Sequence, residues 1–179
     1  MNAVIHNAGV GSGPHVLPAN LVAPDVLTAL IDRPGRLTYL SSSMHRGGRA
    51  NLRGVDWRGR GTTASCSDSK LFHATLAIAV ARLWPDVLSN AADPVWVPTK
   101  VGGPGAPDDL RLGHLTQEWL ATSDDPQART SGGYWYHQRR AAPAVHDQRF
   151  QDELLEALAD FTATSLPHHE PKEFSCAEQ

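Results

Sequence analysis

Apolar and polar positions along this chain switch between two periods, and the switches fall at Gly, Pro and Asn clusters. Ala3-Val4-Ile5 is a short apolar run closed by Asn7-Ala8-Gly9, which predicts a buried strand. Residues 20–30 carry Leu21, Val22, Val26, Leu27 and Leu30 at helical spacing. Pro34-Gly35 then punctuates the chain, and Arg36-Leu37-Thr38-Tyr39-Leu40 has the β-branched and aromatic content of a strand. Residues 44–65 turn to Gly, Arg, Ser and Thr. The segment 70–84 is apolar on nearly every face (Leu71, Phe72, Leu76, Ile78, Val80, Leu83), so it reads as a helix buried on both sides or lying in an interface.

Pro85-Asp86 stops that helix, residues 87–92 read as the next strand, and Asp93-Pro94 ends it. Residues 110–120 form a further helical pattern and Gly133-Tyr134-Trp135-Tyr136 a final strand. Phe150, Leu154, Leu155, Leu158 and Phe161 mark a last amphipathic helix. Strands alternating with helices predict an α/β domain with a mainly parallel sheet covered on both faces. The expected domain is 1–163, followed by a polar tail over 164–179 that is expected to be disordered.

Composition narrows the function classes. A length of 179 residues and 41% hydrophobic content suit one domain with a real core. A net charge of -3 and a pI near 6.3 offer no broad basic field, so neither nucleic acid nor an anionic membrane is an expected partner. The arginines at 46, 49, 53, 58 and 60 alternate with Gly, Asn and Asp and read as a solvated loop. Cys66 and Cys176 lack metal-ligand spacing, which predicts reduced thiols and a cytoplasmic location. The histidines show no paired metal spacing and read as packed or solvated.

Gly9-Val10-Gly11-Ser12-Gly13 imitates a phosphate-binding turn, but Pro14 and Pro18 are expected to interrupt the helix that such a turn requires. A second set of residues is more specific. Asn7-Ala8-Gly9, Asn20, Ser41-Ser42, Lys70 at the end of Cys66-Ser67-Asp68-Ser69-Lys70, and Asp93-Pro94-Val95-Trp96-Val97-Pro98-Thr99 occur in order at strand ends and helix starts. Together they resemble the short-chain dehydrogenase/reductases, over about residues 4–136.

The resemblance implies a Rossmann-like, doubly wound, mostly parallel sheet and NAD or NADP as cofactor. It implies hydride transfer between the nicotinamide and a small carbonyl or alcohol. By the same resemblance Ser42 orients the substrate carbonyl and Lys70 lowers the pKa of a phenol one helical turn before it. Asn20 holds a relay water, while Asn7, Ala8, Gly9, Lys70, Pro94, Val95 and Thr99 line the cofactor. The first residue of the chain falls near the family's fourth strand. The early strands and the glycine-rich nucleotide turn are therefore expected to be missing, the protein impaired in isolation, and an apolar edge left at Val4-Ile5 that invites self-association.

Cys66 stands where the family has its catalytic tyrosine, and a thiol cannot reach the place of a phenolic hydroxyl. Val95 stands where the family has glycine, and a β-branched residue resists a close backbone approach. Three readings follow from the resemblance and these departures from it. One is an impaired oxidoreductase. Another is a non-catalytic relic that acts only by protein association, with a homo-oligomer through the 70–84 helix and Leu76 and Val80 at the contact. The third is a thiol enzyme with Cys66 as nucleophile and His73 as base.

Overall fold

The computed structural model describes residues 2–144 and 147–167. Its sheet has five strands in sequential order: β1 (Ala3–His6), β2 (Arg36–Leu40), β3 (Leu88–Asp93), β4 (Tyr134–Tyr136) and β5 (Arg139–Ala141). The first four are parallel, and β5 returns antiparallel to β4. The helices are α1 (Ala23–Leu30), α2 (Cys66–Leu83), α3 (Leu115–Thr122) and α4 (Gln148–Thr162). The expected α/β architecture is what the chain forms.

The period of two along the strands sorts their side chains between two cores. Leu37, Tyr39, Ala91 and Tyr134 join Leu71, Phe72, Leu76 and Val80 of α2 and Phe150, Leu154 and Leu158 of α4 in the larger cluster. Their neighbours in sequence, Leu40, Ala92 and Trp135, face the other way and pack with Leu120 of α3. The apolar faces of α2 are thus covered by the sheet on one side and by α4 on the other, where the Phe72 and Phe150 rings lie 5.8 Å apart. Leu76 and Val80 have no exposed surface within the single chain, so a contact between copies through this helix cannot run through those two side chains.

α2 starts where its sequence provides a capping box. The Ser65 hydroxyl accepts from the Asp68 amide at 3.1 Å, and the Asp68 carboxylate accepts from the Ser65 amide at 2.9 Å. Arg49 adds its backbone N–H at 2.8 Å and its guanidinium at 2.9 Å to the same carboxylate. Burial alone would raise the Asp68 pKa, but these bonds from Arg49 and Ser65 hold it well below the usual carboxylate range. Most of the loop of arginines is thus solvated, with Arg49 anchored to the helix start.

The first helix begins earlier than expected. Helical geometry is already present at Val16 and Leu17, because a proline in the first turn, here Pro18, replaces an N–H that would have had no partner there. The turn spanning Pro18–Val22 is widened to π type before α1 continues. Pro24 has no N–H to offer the Asn20 carbonyl four residues back, so regular helical bonding cannot continue through this point.

Two further boundaries move. The 110–120 pattern divides into a short 3₁₀ turn at Leu110–Leu112 and α3, with Gly113 and His114 between. Leu166 is buried in the larger core and the Pro167 carbonyl accepts from Trp84 Nε1 at 2.7 Å. The packed chain therefore extends past the expected boundary at 163, and residues 168–179, the rest of the expected tail, lie outside the described residues. Among the described residues β1 pairs with β2 alone, and Ile5 of β1 and Leu27 and Leu30 of α1 are exposed. No helix among the described residues is long and apolar enough to cross a membrane.

Candidate active site

Three adjacent parallel strands, β1, β2 and β3, end on one side of the sheet, at His6, Leu40 and Asp93. The residues singled out in the sequence follow those ends directly or come from α2 above them. A crevice outside the carboxyl ends of parallel strands is the general ligand position in such sheets.

Lys70 ties α2 to the end of β2. Its Nζ donates to the Leu40 carbonyl at 2.8 Å, while the Ser41 hydroxyl donates back to the Lys70 carbonyl at 2.8 Å. Burial lowers the pKa of this ammonium, opposed by the nearby Cys66 sulfur and the Asp93 carboxylate. Asp93, read from sequence as a strand-ending turn, is buried and is the last residue of β3. It accepts from the Tyr134 hydroxyl at 2.8 Å and from the Val95 amide at 3.0 Å. A negative charge beside Lys70 was the feature that the sequence spacing did not disclose.

Ser42 is half-buried and caps a short 3₁₀ turn, Ser43–Gly47, by accepting from the Met44 amide at 3.3 Å. As an acceptor there, its hydroxyl keeps its own proton available. Cys66 is a half-buried free thiol at the first position of α2, one turn before Lys70.

Asn20 bridges two elements. Its Oδ1 accepts from the Val10 amide at 2.7 Å, and its Nδ2 donates to the Val10 carbonyl at 2.9 Å and to the Ser69 hydroxyl at 3.1 Å. The Asn7-Ala8-Gly9 turn is thereby fixed against the residue before Lys70. A Cβ at Gly9 would lie 3.2 Å from Asn20 Oδ1, which limits that position to a very small residue.

Val95 occupies the left-handed region with φ 63°, the conformation in which glycine is at ease and a β-branched side chain is strained. Thr99 is exposed and accepts from the Gly102 amide at 3.1 Å, within its own turn. Pro94 and Val95 thus sit at the end of β3, while Thr99 points its hydroxyl into the following loop.

His73 does not form the base of a thiol pair. Its Nδ1 donates to the Leu40 carbonyl at 3.1 Å, and its buried Nε2 meets no partner. Burial, then the charges of Lys70 and His6, lower its pKa to about 3, so the ring is neutral. His6 is also buried, with its pKa lowered to about 4, and its Nε2 bonds the Thr28 hydroxyl at 3.0 Å. Among the described residues no group of three or more His, Cys, Asp and Glu side chains is placed to hold a metal ion. His146, His168 and His169 lie outside the described residues.

The chain is 32% identical to the short-chain dehydrogenase chyC of Penicillium rubens and 33% identical to the short-chain dehydrogenase chry4 of Gibberella zeae. In both pairs the match covers 93% of this chain and 70% of the relative. The chain belongs to the short-chain dehydrogenase family. An uncharacterized oxidoreductase of Emericella nidulans is 31% identical over the same shares of the two chains. No protein-family profile matches. Among solved structures, a putative uncharacterized protein from Mycobacterium paratuberculosis superposes with a TM-score of 0.67 at 20% identity, over 93% of this chain and 68% of that one. It supports the Rossmann-like fold alone.

Membership in this family implies oxidoreductase chemistry with a nicotinamide cofactor in general. The residues present fit the ribose and nicotinamide half of such a group. Lys70 spends one of its three N–H donors on Leu40, among the described residues, leaving two for ligand hydroxyls. The Asn7-Ala8-Gly9 turn lies at the neighbouring strand end, pinned by Asn20. Val95 is the poorest fit, since its side chain occupies a backbone position that suits glycine.

Proposed function

We propose that this protein is a nicotinamide-dependent carbonyl or alcohol oxidoreductase in which proton transfer is disabled, so that turnover is slow or absent. The observation that carries the reading is Cys66 at the head of α2, one turn before Lys70. The cofactor, when bound, would supply or accept the hydride. Lys70 would hold its ribose, with the turn at Asn7, Ala8 and Gly9 alongside and Pro94 and Val95 bordering the nicotinamide.

Ser42 would orient the substrate oxygen through its hydroxyl proton. The proton for that oxygen needs a donor within about 3 Å, as general acid catalysis demands. A thiol ends roughly an aromatic ring short of where a phenol at the same position would end, and misplacement by ~1 Å already costs about a hundredfold. Asn20 would act by fixing the first turn against α2 through Val10 and Ser69.

Two measurements test this reading. NADH or NADPH should raise the melting temperature or quench the tryptophan fluorescence of the intact chain, and complete indifference to both would overturn cofactor use. In reduction of small aldehydes and ketones, Cys66→Ala should match the parent rate within about twofold. A loss of tenfold or more would show that the thiol donates the proton after all.

A further inference from the structure

The β4–β5 hairpin holds a cavity that the family resemblance did not anticipate. It has a volume of about 460 Å³ and is lined by Tyr136, His137, Arg139, Arg140 and Ala141. The hairpin is closed by two residues, His137 at φ 49° and Gln138 at φ 58°. Both central positions are left-handed, as the tight turn that matches strand twist requires. Register pairs Tyr136 with Arg139 and Tyr134 with Ala141, so these four side chains share one face.

That face is the one turned toward Ser42. Tyr134 packs against the His45 ring, with centroids 4.3 Å apart, and His45 bonds the Ser42 carbonyl through Nδ1 at 2.7 Å. The chain leaving β5 is fastened to the same turn, since the Ala144 amide donates to His45 Nε2 at 3.1 Å. Tyr136 and Arg139 therefore lie beyond Tyr134 at the carboxyl end of β4, on the side where the crevice opens.

The arginines near the hairpin, Arg46 outside the cavity lining and Arg139 and Arg140 within it, make few bonds. Arg46 spends one weak bond on the Ala142 carbonyl at 3.4 Å, and Arg140 one on the Gly132 carbonyl at 3.4 Å. Among the described residues, none of Arg46, Arg139 and Arg140 forms an ion pair, whereas most other arginines do. Arg139, opposite Tyr136 on one face, and Arg140, opposite Trp135 on the other, both line the cavity, whose Tyr136 and His137 rings meet edge to face at 4.1 Å; a guanidinium there offers a planar fork next to an aromatic wall.

We propose that this cavity receives the carboxylate of the substrate, which makes an acid-bearing carbonyl or alcohol the substrate class. The assignment rests on the oxidoreductase reading of the neighbouring Ser42 site. Its anion-binding part can be measured without turnover.

The probes are 4-carboxybenzaldehyde and its methyl ester, titrated into the intact chain at low ionic strength and followed by saturation-transfer NMR. The acid should bind about tenfold more tightly than the ester, as a charge-assisted fork predicts. The exposed double substitution R139Q/R140Q should abolish that preference, bringing acid and ester to equal binding, with the melting temperature unchanged. Equal binding of acid and ester, or a preference that survives R139Q/R140Q, overturns the proposal. NADH titration of the same samples separates the two readings. An acid preference without any NADH effect removes the oxidoreductase reading, and with it the substrate assignment; an NADH effect without the preference removes the cavity assignment alone.

Discussion

Lys70 and His73 share one acceptor, the Leu40 carbonyl, at 2.8 and 3.1 Å. The bond fixes His73 as its Nδ1–H tautomer, with the Nε2 lone pair buried and unused. The unfolded chain takes up a proton on this ring near pH 6.5, and the folded chain resists it until about pH 3. Stability from this group is thus full above pH 6.5 and lost as pH falls toward 3. His73→Phe should flatten that acid loss by up to roughly 1.4 kcal/mol per pH unit between pH 4 and 6. Urea midpoints at pH 4.5 and 7.5 for both proteins would check it.

Asp25 carries the opposite sign. Burial raises its pKa to about 7, so its carboxyl is neutral in the folded protein below that and must ionise above it. Its contribution is full below pH 3.8 and lost as pH rises through 7. Asp25→Asn should therefore stabilise the protein at pH 8 by roughly 1–3 kcal/mol, with no gain at pH 3.5. Thermal unfolding at the two pH values is the measurement.

Val95 at φ 63° holds a β-branched residue in a left-handed conformation. Strain of this kind costs on the order of 1–3 kcal/mol. Val95→Gly should recover about 1 kcal/mol, since the added freedom of glycine in the unfolded chain offsets part of the relief. A denaturant midpoint that moves down rather than up would show that side-chain packing at this position outweighs the strain.

Asn20→Ala removes three hydrogen bonds at once and leaves the Val10 amide and carbonyl without their partners. The expected loss is roughly 2–4 kcal/mol. Hydrogen exchange at the Val10 amide should accelerate more than exchange in β3, because the turn loosens before the sheet does.

Patterning carried the architecture because the strands are short, apolar and bounded by Gly and Pro. The run Arg36 to Leu40 was legible at both ends. β5 was not, since Arg139 and Arg140 are exposed residues on an edge strand with no apolar alternation to mark them. Pro18 misled in the other direction: it reads as a helix breaker, yet in a first turn it displaces no bond. The order of Ser42, Cys66 and Lys70 along the chain made them candidates, and the fold places Ser42 just after β2 and brings Lys70 of α2 to the end of that strand. The buried charge of Asp93 beside Lys70 could not be read from the sequence, because Asp-Pro has the same letters whether it closes a strand at the surface or in the interior. The unpaired Nε2 of His73 and the shared Leu40 carbonyl likewise depend on three-dimensional approach between residues 30 and 33 positions apart.

The Pro167 carbonyl accepts both the Trp84 indole and the Arg33 guanidinium, at 2.7 and 2.8 Å, and that guanidinium lies over the indole ring at 4.7 Å. The end of the packed chain thus rests on a natural chromophore whose emission responds to polarity and charge. Trp84, one of five tryptophans in the chain, is a built-in optical gauge of whether residues near 167 are docked, read as the difference in emission between the purified protein and its Trp84→Phe variant.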